Sequence, residues 1–83
     1  MMIMTARPVD PFGGLAYVQI ADDIARRIDA GEFTLKVPAE RDTAEEYEVA
    51  YGTARKAYEV LRERGIIRTA GTRGNFIVKS SST

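Results

Sequence analysis

The chain has 83 residues, with twelve basic and twelve acidic side chains and no histidine or cysteine. This length fits one small domain, and an apolar fraction of 45% is too high for a disordered protein. Without cysteine there is no disulfide framework or thiolate metal site, and without histidine the commonest general base and zinc ligand are missing. These absences argue against an enzyme and predict no metal and no cofactor.

We expect no membrane or export signal in the N-terminal part. No apolar run in the chain is long enough to cross a bilayer, and residues 1–5 are too short and lack the charged lead of a signal peptide. We therefore expect a cytoplasmic protein with no membrane partner. Residues 1–14 hold two prolines and two glycines without an apolar period, which predicts a flexible N-terminal arm.

The first helix is predicted from an apolar residue at every fourth position after Leu15. Gly31 is expected to stop it, with arginines in the preceding turn where the helix dipole favours them. The predicted buried stripe is Ala16, Ile20, Ile24 and Ile28. The side chains expected on or near the solvent side are Asp22, Asp23, Arg26 and Arg27.

Two further helices are predicted at about residues 39–47 and 51–64, joined by a turn at 48–50. Pro38 suits the start of the second helix, because its missing N–H is no loss in a first turn. Gly65 is expected to end the third helix. The second helix is predicted to turn Thr43, Ala44 and Tyr47 inward. The core stripe predicted for the third helix is Ala54, Ala57, Tyr58 and Leu61, at spacings of three and four.

The C-terminal part predicts a β-hairpin, with strands at 66–68 and 75–78 around a Gly-containing turn at 70–74. Because two strands alone are marginal in water, we expect Ile66, Phe76 and Val78 to pack against the helices. A short extended piece is possible at 33–37, and the polar residues 79–83 are predicted to be a disordered tail. The predicted fold at 15–78 is mainly α with a small β-hairpin (α+β), a winged helix-turn-helix with three helices and a two-stranded wing.

The charges are unevenly distributed although the formal net charge is zero. Residues 51–73 carry six basic and two acidic side chains, a net charge of +4, whereas residues 22–48 carry four basic and nine acidic ones, a net charge of −5. A chain with a basic end and an acidic body can still present a positive face to a partner.

The order and types of these residues resemble the DNA-binding domain of GntR-family transcription regulators, over about residues 15–78 without gaps. The resemblance begins upstream with Y-V-Q-I at 17–20 and G-E-F at 31–33. It continues through four motifs in the family's order: V-P-A-E-R-D-T-A at 37–44, V-A-Y-G-T-A-R-K-A at 49–57, L-R-E-R-G-I-I at 61–67 and R-G-N-F at 73–76.

This resemblance implies a sequence-specific regulator, a repressor, that binds double-stranded DNA at a palindromic operator as a homodimer. The recognition helix at about 51–64 is expected in the major groove, and the wing at about 70–75 on the backbone or in the minor groove. The positions implied to contact DNA are Arg41, Ala50, Tyr51, Gly52, Thr53, Arg55, Thr72, Arg73 and Gly74.

Chemistry at these positions suits the implied role. The planar fork of Arg55 matches guanine O6 and N7, and Arg41 can reach a phosphate or a guanine edge. Thr53 can offer its hydroxyl to a phosphate or a base. Gly71 and Gly74 let the wing backbone approach the sugar-phosphate closely, because glycine adds no Cβ.

Three positions depart from the family pattern. Ala50 replaces a serine, so a side-chain N-cap or phosphate contact is lost. Tyr51 replaces an arginine and cannot make a bidentate guanine contact, and Glu48 stands where the family has a glycine suited to positive φ. These changes predict a different operator. The family's C-terminal ligand-binding and dimerisation domain is absent here, so any small-molecule effector is expected to bind outside this chain.

Some alternatives stay open at this point. Arg41 can pair with Glu45 one helical turn away, while Arg62 and Arg64 can simply form a solvated helix face. Tyr51 either contacts the groove or packs partly on the wing. For the whole domain, the alternative is a winged-helix module that binds another protein, which the neutral total charge, the acidic body and Tyr51 favour.

Overall fold

The computed structural model describes residues 15–78. The expectations of a flexible arm at 1–14 and a disordered tail at 79–83 therefore concern residues outside the described part. Three helices are present, α1 (Ala16–Asp29), α2 (Glu40–Tyr47) and α3 (Tyr51–Glu63). Three short strands accompany them, β1 (Lys36–Val37), β2 (Ile67–Thr69) and β3 (Asn75–Ile77), with one turn of 3-10 helix at Gly71–Arg73 between β2 and β3.

The strands form one antiparallel sheet in the order β1-β3-β2. In the hairpin, Ile67 lies opposite Ile77, and on the other side of β3 Lys36 lies opposite Phe76. The predicted two-stranded wing thus gains a third strand from the extended piece expected at 33–37. Because β3 is paired on both edges, its backbone groups are satisfied and the wing is fixed to the linker that precedes α2.

The core lies between α1 and α3 and is closed by α2 and the sheet. Every residue of the predicted α3 stripe is fully buried, and so are Ile20 and Ile24 of α1. The inward side of α2 is also as predicted, with Thr43, Ala44 and Tyr47 all buried. The periodicity of the sequence therefore located the core faces of α2 and α3 correctly, while in α1 the predicted Ala16 and Ile28 are only partly buried.

The prediction for the faces of the hairpin was wrong at two positions. Phe76 is only partly buried and Val78 is 39% exposed, whereas Ile67 is 3% exposed and packs in the core together with Ile77. The cause is the end of α3, where the amide of Ile66 still bonds to Leu61 O at 2.9 Å. The strand therefore begins at Ile67, and a shift of one residue exchanges the two faces of a strand.

Arg27 is a second correction, since it was expected near solvent and is 8% exposed. Its guanidinium donates to Glu32 at 2.7 Å, to both oxygens of Glu46 and to the hydroxyl of Tyr47 at 3.1 Å. It also lies 4.7 Å from the centre of the Phe33 ring. A buried charge is tolerated only when it is paired and hydrogen-bonded. The partners of Arg27 meet that need at its two terminal nitrogens and join α1 to α2, while its Nε has no hydrogen-bond partner.

The α2–α3 corner is held by a polar contact and by one unusual backbone angle. The hydroxyl of Tyr58 donates to Pro38 O at 2.5 Å and lies 2.7 Å from Thr43 Oγ1. Because a phenol has one proton, Thr43 is the donor in the second bond. Glu48 ends α2 in the left-handed conformation, at φ 56°, so it takes the conformation of the family's glycine at that position.

Candidate nucleic-acid interface

An open depression of about 730 Å³ lies between the start of α2, the outer side of α3 and the wing. Arg41, Tyr51, Arg55 and Gly74, all predicted to contact DNA, contribute to its lining. The fold thus brings residues from three separate elements to one surface. The lining also includes Arg62, Thr69 and Asn75, which join the floor of the depression to the wing.

The N-terminus of α3 opens beside this depression. Its N-cap, Ala50, has extended backbone angles and makes no side-chain capping bond, in agreement with the expectation from the sequence. The first amides of a helix have no partner within the helix, so those of Tyr51 and Gly52 remain available to an anion. Ala50, Tyr51 and Gly52 are exposed, while Thr53 is half-buried and lies outside the lining.

Tyr51 lines this depression from the first residue of α3. Its side chain is exposed, and its hydroxyl donates to Glu40 Oε1 at 2.9 Å. This hydrogen bond is the main reason that the pKa of Tyr51 is raised. Arg55 and Arg41 oppose the shift, because their positive charges lie near enough to favour the phenolate. Tyr51 therefore contacts α2 through its hydroxyl.

The charges in the depression balance, with three arginines and three carboxylates in the lining. One carboxylate is already engaged, because Glu40 accepts from Tyr51 and lies 4.0 Å from Arg62. Within residues 15–78, no ion pair is formed by Arg41, Arg55 or Arg73. The positive charges of these three exposed side chains are therefore available to a binding partner. The alternative pair between Arg41 and Glu45 is absent.

The wing presents its tip through a tight turn. Gly74 has φ 113° and ψ −167°, angles that only glycine adopts readily, and its carbonyl accepts from Ala70 N at 3.0 Å. Thr72 and Arg73 are exposed in this turn. The geometry therefore holds the Arg73 side chain at the outer end of the sheet.

Lys36 supports this turn, and sequence reasoning did not single it out. Its ammonium group donates to Arg73 O at 3.1 Å and lies 5.6 Å from the centre of the Phe76 ring. The contact depends on the pairing of β1 with β3, which sets Lys36 opposite Phe76. No local pattern in the sequence signals that pairing, since the two strands are far apart along the chain.

The two arginines at the C-terminal end of α3 make contacts inside the protein. Arg62 Nη1 donates to Thr69 Oγ1 at 3.0 Å and to Asn75 Oδ1 at 3.4 Å, which ties α3 to the hairpin. Arg64 pairs with Asp22 of α1 at 2.8 Å. Both side chains therefore have structural partners, and Arg64 lies at the end of α3 remote from Tyr51.

Two searches for other kinds of site were negative. Among residues 15–78, no group of three or more acidic side chains is arranged to hold a metal ion. None of the helices in the same range has the length and apolar character needed to span a membrane.

The chain is similar to known regulators of one kind. The family described as "Bacterial regulatory proteins, gntR family" matches residues 16–77. The HTH-type transcriptional regulator SmoD of Agrobacterium fabrum is 38% identical over 63 residues, which make up 74% of this chain and 27% of SmoD. The chain thus spans about a quarter of the length of that relative.

Solved structures of DNA-binding regulators are also similar to the chain. YtrA from Sulfolobus acidocaldarius, a GntR-family transcription factor, matches with a TM-score of 0.75 and 32% identity over 90% of this chain and 81% of YtrA. The AraR DNA-binding domain in complex with operator ORX1 matches with a TM-score of 0.74 over 94% of this chain and 96% of that domain, and its 24% identity shows the fold alone. The predicted winged helix-turn-helix is confirmed, and the family that matches is one of regulatory proteins, as the sequence predicted. By its sequence and its fold, the chain belongs to the gntR family of bacterial regulatory proteins.

Proposed function

We propose that this chain is the sequence-specific DNA-binding part of a transcription regulator. The start of α3 enters the major groove, and the wing lies on the backbone or in the minor groove. One observation carries the proposal: Arg41, Tyr51, Arg55 and Gly74 share one open depression beside the uncapped N-terminus of α3. The AraR DNA-binding domain, which has the same fold, is bound to operator DNA.

Each exposed cation has a role that its position favours. Arg55 projects from the second turn of α3 and is the candidate for a bidentate contact to guanine O6 and N7. Arg41 at the start of α2 and Arg73 at the wing tip flank it and suit phosphate contacts, which fix the register of a protein on the duplex. The amides of Tyr51 and Gly52, with the hydroxyl of Thr53, add donors for a phosphate at the helix start.

We further propose that two copies bind a palindromic operator and that binding represses transcription. A single small module makes few phosphate contacts, and affinity depends strongly on their number. Two-fold related copies would place their α3 helices about 34 Å apart, one turn of DNA. A dimer seated in this way represses by occupying the operator.

The experiment is selection of bound sequences from a random DNA pool, followed by fluorescence anisotropy over a series of salt concentrations. Arg55→Ala should cost about 1–3 kcal/mol of binding and relax the preference at one base, whereas Arg73→Ala should weaken binding to all sequences alike. Arg64→Ala is the matched control, because Arg64 pairs with Asp22 at the far end of α3. Equal effects of all three changes, or a pool without enriched sequences, would contradict the proposal.

The second candidate function is a protein-interaction module. It is favoured by the carboxylates of Glu40, Asp42 and Glu59 in the depression, which leave its lining without net charge. Binding to random DNA at low salt separates the two functions. A DNA-binding domain binds non-specifically with a dissociation constant of about 10⁻⁴–10⁻⁶ M even at physiological salt; binding weaker than millimolar favours the protein partner.

A further inference from the structure

We propose that Glu40 sets the base preference at the position that Tyr51 contacts, by accepting the only proton that the Tyr51 hydroxyl can donate. The inference rests on the proposed function and deepens it. It assigns to Tyr51 an acceptor role toward DNA, and to Glu40 the role of a positioning residue that acts through Tyr51.

The geometry that supports this assignment joins the first residues of two helices. Tyr51 begins α3 and Glu40 begins α2, and their side chains meet at 2.9 Å on the floor of the depression. The Glu40 side chain is 18% exposed, so it lies below the surface, while Tyr51 is 48% exposed and faces outward. DNA that enters this depression meets the tyrosine before it meets the carboxylate.

Glu40 also contacts a cation through its other carboxylate oxygen. Its second oxygen lies 4.0 Å from Arg62 Nη1, and Arg62 is itself anchored to Thr69 and Asn75 of the wing. The carboxylate therefore stands between a fixed cation and the tyrosine hydroxyl. Because the Glu40 carboxylate is fixed by both contacts, the Tyr51 proton points to α2 and away from the DNA groove.

The consequence for recognition follows from what each base displays. A phenol has one proton to donate and lone pairs that accept. With its proton given to Glu40, the exposed side of the Tyr51 hydroxyl can only accept. In the major groove adenine and cytosine present amino groups that donate, while guanine presents only the acceptors N7 and O6. The base that faces Tyr51 is therefore adenine or cytosine in preference to guanine.

The neighbouring Glu40 carboxylate favours this protonation state, and its effect outweighs the opposing charges of Arg55 and Arg41. The pKa of Tyr51 is raised, chiefly by the bond to Glu40, so the hydroxyl keeps its proton at neutral pH. A free hydroxyl would instead rotate and serve as donor or acceptor according to the base. The hydrogen bond to Glu40 leaves the Tyr51 hydroxyl only its acceptor role toward a base.

The experiment compares base preferences, which are independent of overall affinity. Sequences are selected from a random pool with the wild-type chain and with Tyr51→Phe. The position at which the two profiles differ is the base that Tyr51 contacts. There the wild type should favour adenine or cytosine over guanine by about five- to tenfold, the value of one hydrogen bond.

Three further variants identify the part played by Glu40. Glu40→Ala frees the hydroxyl proton, and guanine discrimination at that position should fall below about threefold, within the energy of a weak hydrogen bond. Glu40→Gln keeps an acceptor oxygen and should retain the wild-type preference. Glu45→Ala removes the same charge from an exposed position of α2 outside the depression, and should leave the profile unchanged.

The outcomes distinguish this inference from the function on which it rests. Sequence-selective binding with the same profile in Glu40→Ala as in the wild type would overturn the inference alone. So would equal profile changes in Glu40→Ala and Glu45→Ala, or no difference between wild type and Tyr51→Phe. Failure of the wild type to bind any DNA would overturn the proposed function.

Discussion

The guanidinium of Arg27 on α1 makes a bidentate hydrogen bond to the carboxylate of Glu46 on α2, at 3.2 Å from Nη1 to Oε1 and 3.1 Å from Nη2 to Oε2. The pKa of Arg27 is raised, first by its hydrogen bond to Glu32 and further by Glu46 and Tyr47, against the opposing effect of burial. The contact fixes the C-terminal end of α2, the first helix of the helix-turn-helix, relative to α1. The proposed DNA-binding surface therefore depends on a residue that lies outside it.

Loss of Arg27 should destabilise the domain. Arg27→Met removes the charge and leaves the acids without their partner, at a cost of about 2–3 kcal/mol; this is below the usual range for a fully buried pair because Glu46 is 33% exposed. Urea unfolding at neutral pH measures this difference. Arg26→Met is the control, because Arg26 is 69% exposed and pairs only at the surface with Asp23, and it should change stability by less than about 0.5 kcal/mol.

The domain should lose stability in alkaline solution. Burial raises the pKa of Tyr58 to about 12, whereas a tyrosine in the unfolded chain ionises at about 10. The neutral hydroxyl is favoured in the folded state, so its contribution is complete below about pH 10 and is lost as the pH rises towards 12, by about 2–3 kcal/mol in all. Burial also raises the pKa of Tyr47, which adds in the same direction.

Urea unfolding at a series of pH values checks this expectation, with the ultraviolet absorbance of the phenolate as a second signal. Tyr58→Phe should be less stable at neutral pH, because Pro38 O and Thr43 lose their partner, and its alkaline decline should be shallower. A wild-type stability that stays constant to about pH 12 would be at odds with the buried, neutral Tyr58.

Lys36 should contribute to DNA affinity by holding the wing. Lys36→Met removes the hydrogen bond to Arg73 O, and the less constrained turn should weaken binding by about 0.5–1.5 kcal/mol for all sequences. The salt dependence shows the mechanism, since loss of a direct phosphate contact lowers the salt slope by about one. If Lys36 only supports the wing, the variant should lose affinity while the slope of affinity against salt concentration stays the same. Unchanged affinity in Lys36→Met would contradict a contribution of Lys36 to DNA binding.

Glu48→Gly should stabilise the turn between α2 and α3. Glu48 has φ 56°, a conformation that costs a residue with a side chain about 1–2 kcal/mol and glycine almost nothing. Part of that gain is offset by the greater freedom of glycine in the unfolded chain, so an increase of about 0.5 kcal/mol in unfolding free energy is expected. Glu45→Gly, inside α2, should instead lower stability by about 1 kcal/mol. A loss of stability in both variants would show that the Glu48 side chain makes a stabilising contribution larger than its strain.

The sequence was sufficient where the information is local. The spacing of the α3 stripe, the alanine at position 50 and the departure from glycine at position 48 each describe their own segment, and the structure agrees at all three. Contacts that depend on distant pairing were not predictable. Arg27 sits on the predicted polar side of α1, and only the approach of Glu46 and Phe33 makes its burial favourable.

The contacts of the wing were also only partly predictable from the sequence. A hairpin follows from the glycines and the β-branched residues at 66–78, but the face that each side chain occupies depends on where β2 begins, one residue later than expected. The support of Arg73 by Lys36 depends on a strand of two residues, which has no sequence period of its own. The candidate DNA-contact positions came from family resemblance, and their role stays a prediction.

The most direct test of the account is the footprint of DNA on the protein, measured by changes in backbone amide chemical shifts with the DNA sequence selected from the random pool. The account predicts that the largest changes fall at residues 51–55 and 71–74, with smaller ones at the start of α2, and that the amides of the C-terminal turn of α1 are unaffected. Changes concentrated on α1, or spread without preference over residues 15–78, would contradict the claim that the start of α3 and the wing form the DNA-binding surface.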